Sequence, residues 1–343
     1  AARLGTPEEL ATQFGETDAP KKAGGSKPFV VAGLCVVDVF AGLFFALLVG
    51  FGAAYFSVAI ISVLLVAAMF SFIVAAFTGG GTGENSPAGK DWYMLLSACV
   101  TPFALAVSGL VFCKAFGENV KEACRIKKAE PKYYLYAVLL VAACFFGLSS
   151  LNGLFIDFLT EYFGYKPAEA ALPSFSAPNF ILTVITVCIL PAIFEEFFFR
   201  GILTGSLSGS GRLAAALIAG VYFSIFHMNP AQTPYQFVTG FCFCLLALES
   251  GSVFPSIVAH FLNNFVIVLL YYLVPSFESF TGIWLVVSVI GGLICLAAFL
   301  FLTLKGKIKD GKSEYGYDYK TFFLYSAIGV AACLLMWLSG LFV

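Results

Sequence analysis

Charge is scarce in this chain. Only 11% of its 343 residues are Asp, Glu, Lys or Arg, while 60% are hydrophobic; soluble globular domains carry roughly 25% and 45–50%. That shortage excludes water as the main solvent and makes a bilayer the expected environment. A net charge of -1 supplies no basic stripe, and the glycines interleaved among the spans lie in apolar runs rather than in phosphate-cradling loops, so no nucleic-acid partner is expected. The ten cysteines include no CxxC and no zinc-ribbon spacing. Nearly all sit in apolar runs, where a thiol packs as a small hydrophobe, and no cysteine metal site is expected. Residues 1–28 lack the basic, apolar, small-residue order of a signal peptide and read as a polar, disordered tail.

What is present is a succession of long apolar runs. A spanning helix needs about 20 apolar residues, and Phe29 to Phe77 supplies 49 with one charge, Asp38. Two spans fit there, with a break near Gly50 and Gly52, and Asp38 is read as structural. A glycine-rich loop (79–91) follows. Further spans are expected at 92–113, 133–156, 179–207, 212–228, 233–249, 252–273, 281–304 and 321–343, making about ten. The chain is therefore read as all-α, a polytopic transmembrane helical bundle, and as an integral, multi-pass membrane protein with lipid as its surroundings.

Basic residues favour the cytoplasmic side. Loop 114–132 carries six and 305–320 carries five, six crossings apart, so both fit one side. Counting back through three spans puts the tail opposite, against its own four bases (Arg3, Lys21, Lys22 and Lys27). The charge rule thus disputes the first three spans.

Ionisable residues inside a membrane are costly and mark function by default. The string PAIFEEFFFRG places Glu195, Glu196 and Arg200 within one apolar span. Glu196 and Arg200 stand i,i+4 and can pair along one face. Glu195 points about 100° away and is left for other work, where a catalytic base would stand. Both histidines of the chain fall in spans: His227 four residues after Phe223, and His260 four before Asn264. Imidazole and amide then share a helix face and can donate to a developing oxyanion. The fifth and sixth spans form a hairpin about SGSG (208–211). Counted from its centre, Glu195 and His227 differ in depth by only about 4–5 Å, so they can meet near the bilayer midplane. Gly201 and Gly205 are spaced for close approach by a neighbouring helix, and Glu249 is placed at the interface.

EExxxR at 195–200, FxxxH at 223–227 and HxxxN at 260–264, in this order on separate spans, closely resemble the signature of the CAAX protease and bacteriocin-processing (Abi) family. The resemblance covers about residues 133–304. It implies an eight-helix intramembrane protease core, whose best understood members trim prenylated CAAX proteins. On that picture Glu195 and His227 activate water, His260 and Asn264 stabilise the oxyanion, and Glu196, Arg200 and Phe223 support the site. The organisation it suggests is a tail (1–28), additional spans with a basic cytoplasmic loop (29–132), the protease core (133–304), and a basic loop with a last helix (305–343). Family members are often labelled metalloproteases. No HExxH occurs, and a zinc ion, if present, would take Glu195, His227 and His260. The expected substrate is a membrane-embedded or lipidated peptide, and the expected setting a bacterial cytoplasmic membrane. The competing reading is a non-proteolytic membrane protein, either a proton-coupled transporter or a scaffold with a protease-like site; no internal repeat of the transporter kind is visible between the two halves.

Overall fold

The computed structural model describes residues 52–78, 90–167, 172–207, 209–273, 282–305 and 318–342. The polar tail, the first expected span with Asp38, and most of loops 79–91 and 305–320 lie outside the described residues. Among those described there is no strand. The helices are α1 (Gly52–Thr78), α2 (Asp91–Phe116), the short α3 (Val120–Ala123), α4 (Pro131–Phe163), α5 (Ala177–Ser206), α6 (Arg212–Phe226), α7 (Thr233–Ser250), α8 (Phe254–Leu273), α9 (Gly282–Leu304) and α10 (Tyr319–Leu341). Seven of them are long and apolar enough to cross a membrane: α1, α2, α4, α5, α8, α9 and α10. The bundle is that of a polytopic membrane protein.

Two departures from the sequence reading have plain causes. Asp157 and Glu161 end the apolar run near 156, but helical hydrogen bonding continues to Phe163 and stops only at Gly164, whose left-handed φ of 67° caps it. The spans expected at 212–228 and 233–249 are a hairpin of helices 15 and 18 residues long. Fifteen residues rise about 22 Å, short of the roughly 30 Å of a hydrocarbon core. The chain turns back at Met228 (φ 51°) and at Asn229, whose side chain accepts from the Ala231 N–H (3.0 Å). Gly220 and Gly240 set the closeness of the two helices. A Cβ on Gly220 would lie 3.0 Å from the Phe237 carbonyl, and one on Gly240 2.8 Å from Cβ of Phe223.

The loop after α3 and the neighbouring ends of α6, α7, α8, α9 and α10 are tied together by polar contacts. Ser252 donates to the Lys127 carbonyl (2.5 Å) and the Val253 N–H to the Arg125 carbonyl (3.2 Å), tying the start of α8 to the loop after α3. Arg212 pairs with Glu249 (2.7 Å) and donates to the Thr303 and Leu304 carbonyls (3.3 and 3.2 Å), joining α6, α7 and α9. Glu249 is thus the partner of Arg212. Both residues lie about equally far from the hairpin tip, so their pairing follows from the antiparallel register. Tyr319 at the start of α10 donates to the Ser210 carbonyl (3.3 Å).

α5 occupies the centre. Phe198, Phe199, Ile202 and Leu203 are buried against Tyr55 and Phe56 of α1, Leu105 and Phe112 of α2, and Phe223 of α6. Gly201 meets the Cα of Cys124 at 2.7 Å from a built Cβ, so its close neighbour is the loop segment after α3 rather than a spanning helix; Gly205 has open space. The nine described cysteines are all free, and most are buried.

On the far side α4 and α9 cross at Gly147 and Gly292, where a Cβ on Gly147 would stand 2.9 Å from the Gly292 Cα. Ser150 and Ser288 share a hydrogen bond beside it (3.1 Å). Backbone blocks backbone there, so neither side can yield cheaply. Gly147→Ala is expected to destabilise the protein by about 1–3 kcal/mol through overpacking, whereas Gly205→Ala should be neutral or slightly stabilising. Thermal unfolding in detergent distinguishes the two, and equal midpoints would contradict the crossing.

Candidate active site

α5 is not one regular helix. Val184–Ile189 and Phe197–Leu203 are wound as π-helix, and the short α-helical stretch Leu190–Glu196 between them carries Pro191, Glu195 and Glu196. Such wide turns are frequent where a helix serves a functional site. Pro191 contributes to the irregularity, because it has no N–H to offer the Val187 carbonyl four residues earlier. That carbonyl finds its donor on another helix: Nδ2 of Asn264, on α8, lies 3.1 Å away. The start of α5 is fastened separately by Asp91 at the head of α2, which accepts from the Ser174 N–H (3.0 Å), the Ser174 hydroxyl (2.5 Å) and Asn179 Nδ2 (2.8 Å).

The charged group that EExxxR encodes is assembled in full. Arg200 and Glu196 are both completely buried. Nη1 of Arg200 stands 2.9 Å from Oε1 of Glu196, and Nη2 donates to the Gly240 carbonyl (3.3 Å). The guanidinium lies over the ring of Phe223 at 4.3 Å and near that of Phe243 at 5.3 Å. A buried cation is tolerable only with such compensation.

The same Glu196 oxygen has a second partner, since Nδ1 of His260 lies 3.0 Å from Oε1. A carboxylate paired with arginine accepts, so Nδ1 of His260 carries the hydrogen and its Nε2 is turned the other way. There it faces Oε2 of Glu195 across 4.0 Å. Glu195 is 7% exposed, and this oxygen has no hydrogen-bond partner. A gap of that width between polar atoms suits a bridging water.

His227 ends α6 with Nδ1 2.7 Å from the Phe223 carbonyl. The carbonyl can only accept, so the neutral ring holds its hydrogen on Nδ1 and keeps the Nε2 lone pair free. Phe223 joins the parts: its ring meets His227 at 4.7 Å and His260 at 6.0 Å, both edge to face, besides covering Arg200. FxxxH is therefore a packing device as well as a spacing.

The structure thus brings Glu195, Glu196, Arg200 and His260 into one charged group, with His227 beside it through Phe223. Asn264 shares the face of His260 on α8, but one of its N–H groups is spent on Val187. Two roles were not legible in the motifs. Glu196 orients His260 in addition to pairing with Arg200, and Asn263, buried beside Asn264, accepts from the Tyr235 hydroxyl (2.5 Å). The string HFLNN carries a signal for the second, because Asn263 is i+3 from His260 and so near the same face. A cavity of about 360 Å³ lies beyond the π-helical turn of α5, lined in part by Tyr93, Ser97, Pro173, Thr186 and Val187.

For a metal, the available donors are Glu195, His227 and His260. Among the described residues no group of three or more His, Cys, Asp or Glu side chains is gathered closely enough to hold an ion. As placed, the three do not form a His₂Glu set.

Breaking the buried pair from one side leaves a charge without compensation. Arg200→Gln is expected to cost about 3–5 kcal/mol, and Glu196→Gln with Arg200→Gln to cost less than Arg200→Gln alone. Unfolding midpoints of the two variants test this; a double variant less stable than Arg200→Gln would refute the pairing.

Residues 177–266 match the family model described as Type II CAAX prenyl endopeptidase Rce1-like. The match spans α5 to α8 and contains all three motifs. No curated protein matches the chain.

Proposed function

We propose, from the match of residues 177–266 to the Rce1-like family model, that this integral membrane protein is an intramembrane endopeptidase that hydrolyses a peptide bond in a membrane-embedded or lipid-modified peptide. The observation that carries the reading is the unpartnered Oε2 of Glu195, buried opposite His260 Nε2. A buried carboxylate oxygen without a donor is otherwise a pure cost, and a water held there would remove that cost.

In this reading Glu195 takes a proton from that water, with the Nε2 lone pair of His227 helping to orient it. The water oxygen attacks the peptide carbonyl carbon, and the carbonyl oxygen gains negative charge. Asn264, through its second N–H, and His260 receive that charge. Donation by His260 Nε2 requires the doubly protonated ring, whose two N–H groups would then point at Glu196 and Glu195. When the tetrahedral carbon collapses, the C–N bond breaks and the proton held by Glu195 passes to the leaving amine. Glu196, Arg200 and Phe223 hold His260 and His227 in place and touch no reacting atom. The resemblance to the bacteriocin-processing branch favours a bacterial cytoplasmic membrane as the setting.

Glu195→Gln preserves size and removes the base. It should lower kcat by about 10²–10⁴-fold, the usual worth of a positioned base, with folding and membrane insertion intact. Mass spectrometry of membrane peptides from cells carrying the wild type or Glu195→Gln would show the uncleaved substrate accumulating in the variant. Identical peptide populations would overturn the reading, and proton-coupled uptake by reconstituted vesicles without peptide cleavage would replace it with transport.

A further inference from the structure

The hydrogen bonds that reach Asn264 form a chain with a direction. Tyr235, in the first turn of α7, donates its hydroxyl to Oδ1 of Asn263 (2.5 Å). Nδ2 of Asn263 donates to Oδ1 of Asn264 (3.4 Å), and Nδ2 of Asn264 donates to the Val187 carbonyl (3.1 Å). Every link gives one end of a carboxamide a fixed role. The Val187 carbonyl can only accept, so Nδ2 of Asn264 donates to it; Oδ1 of Asn264 then accepts from Nδ2 of Asn263, and Oδ1 of Asn263 accepts from the Tyr235 hydroxyl, which completes the chain. The final acceptor is supplied by the sequence, since Pro191 withholds the N–H that Val187 would otherwise receive.

A carboxamide is nearly symmetrical in shape, and turning it over exchanges a donor for an acceptor at the same place. For a group that must meet a developing negative charge the difference is attraction against repulsion. We propose that Tyr235 and Asn263 are positioning residues of the proposed hydrolysis. Their relay locks the Asn264 carboxamide with one N–H on Val187 and the second unspent beside His260, ready for the oxyanion. The proposal rests on the protease reading for its function but not for the existence of the relay. Neither residue touches a reacting atom. Asn263 is buried and Tyr235 half-buried, so a merely structural role would appear as lost stability in place of a selective loss of turnover.

The test uses the full chain in detergent micelles and a quenched-fluorescence peptide with a farnesylated cysteine followed by three residues. Removing one oxyanion donor costs about 10²–10³ in kcat. Loosening its orientation should cost part of that, so Tyr235→Phe is expected to lower kcat about tenfold with KM within about twofold. In an Asn264→Ala background Tyr235→Phe should lower kcat no further, because the group it positions is gone. Equal losses in both backgrounds, or a loss confined to KM or to the unfolding midpoint, overturn the positioning role. A second measurement needs no substrate: the side-chain amide NMR signal of Asn264, identified by its absence in Asn264→Ala, should shift or broaden in Tyr235→Phe. An unmoved signal overturns the relay outright. If the wild type cleaves neither the probe nor any cellular membrane peptide, the protease reading falls and the positioning role falls with it, while the amide signal still decides whether the relay exists.

Discussion

A guanidinium with no access to water must be neutralised where it lies, and Arg200 is completely buried. Its neutralisation by Glu196 at 2.9 Å organises the middle of the protein. The carboxylate oxygen that balances Arg200 also holds Nδ1 of His260, so the charge requirement of α5 fixes the orientation of a ring on α8. The aromatic cover that Arg200 needs is Phe223 on α6, and Phe223 in turn holds His227 by ring contact and by its carbonyl. Three helices are brought to register by one cation. The glycines at 220 and 240 are part of the same arrangement, since only bare backbone lets α6 and α7 close enough to offer Phe223 and the Gly240 carbonyl to Arg200 together.

Within that frame Glu195 differs from its neighbour by 100° of helix rotation. Glu196 meets both the cation and the imidazole through Oε1, while its Oε2 is buried without a hydrogen-bond partner. Glu195 faces the remaining nitrogen of the same imidazole across a gap and is engaged by nothing at Oε2. Adjacent identical residues thus differ in their partners: one is the counter-ion of Arg200, and the other faces His260 across the gap where the proposed hydrolysis places its base. The division rests on which side of α5 each occupies, and the proposed hydrolysis uses it directly.

Much of this was legible in the residues before any coordinates. Apolar runs gave the helices, because in lipid each helix must satisfy its own backbone and so announces itself by length. The i,i+4 spacing gave the Glu196–Arg200 pair. What was hidden was tertiary. The bond from Glu196 to His260 crosses 64 positions, and no local pattern encodes it. The π-helical turns in α5 left only Pro191 as a trace. The end of α4 was misplaced because hydropathy measures lipid exposure, whereas helix termination is decided by Gly164. The Arg212–Glu249 pair was calculable from the hairpin register but invisible to a reading that took each span alone.

Pro191 has one more implication. A helix whose backbone is satisfied internally can slide or rotate against its neighbours at the cost of side-chain packing alone. α5 cannot, because its Val187 carbonyl depends on an amide carried by α8. A missing hydrogen atom in the chain therefore acts as a register pin between the helix that bears the carboxylates and the helix that bears His260. An otherwise favourable replacement of Pro191, one that made α5 a better helix, would remove the need for that bond and leave the Glu196–His260 contact to hold the two polar faces together.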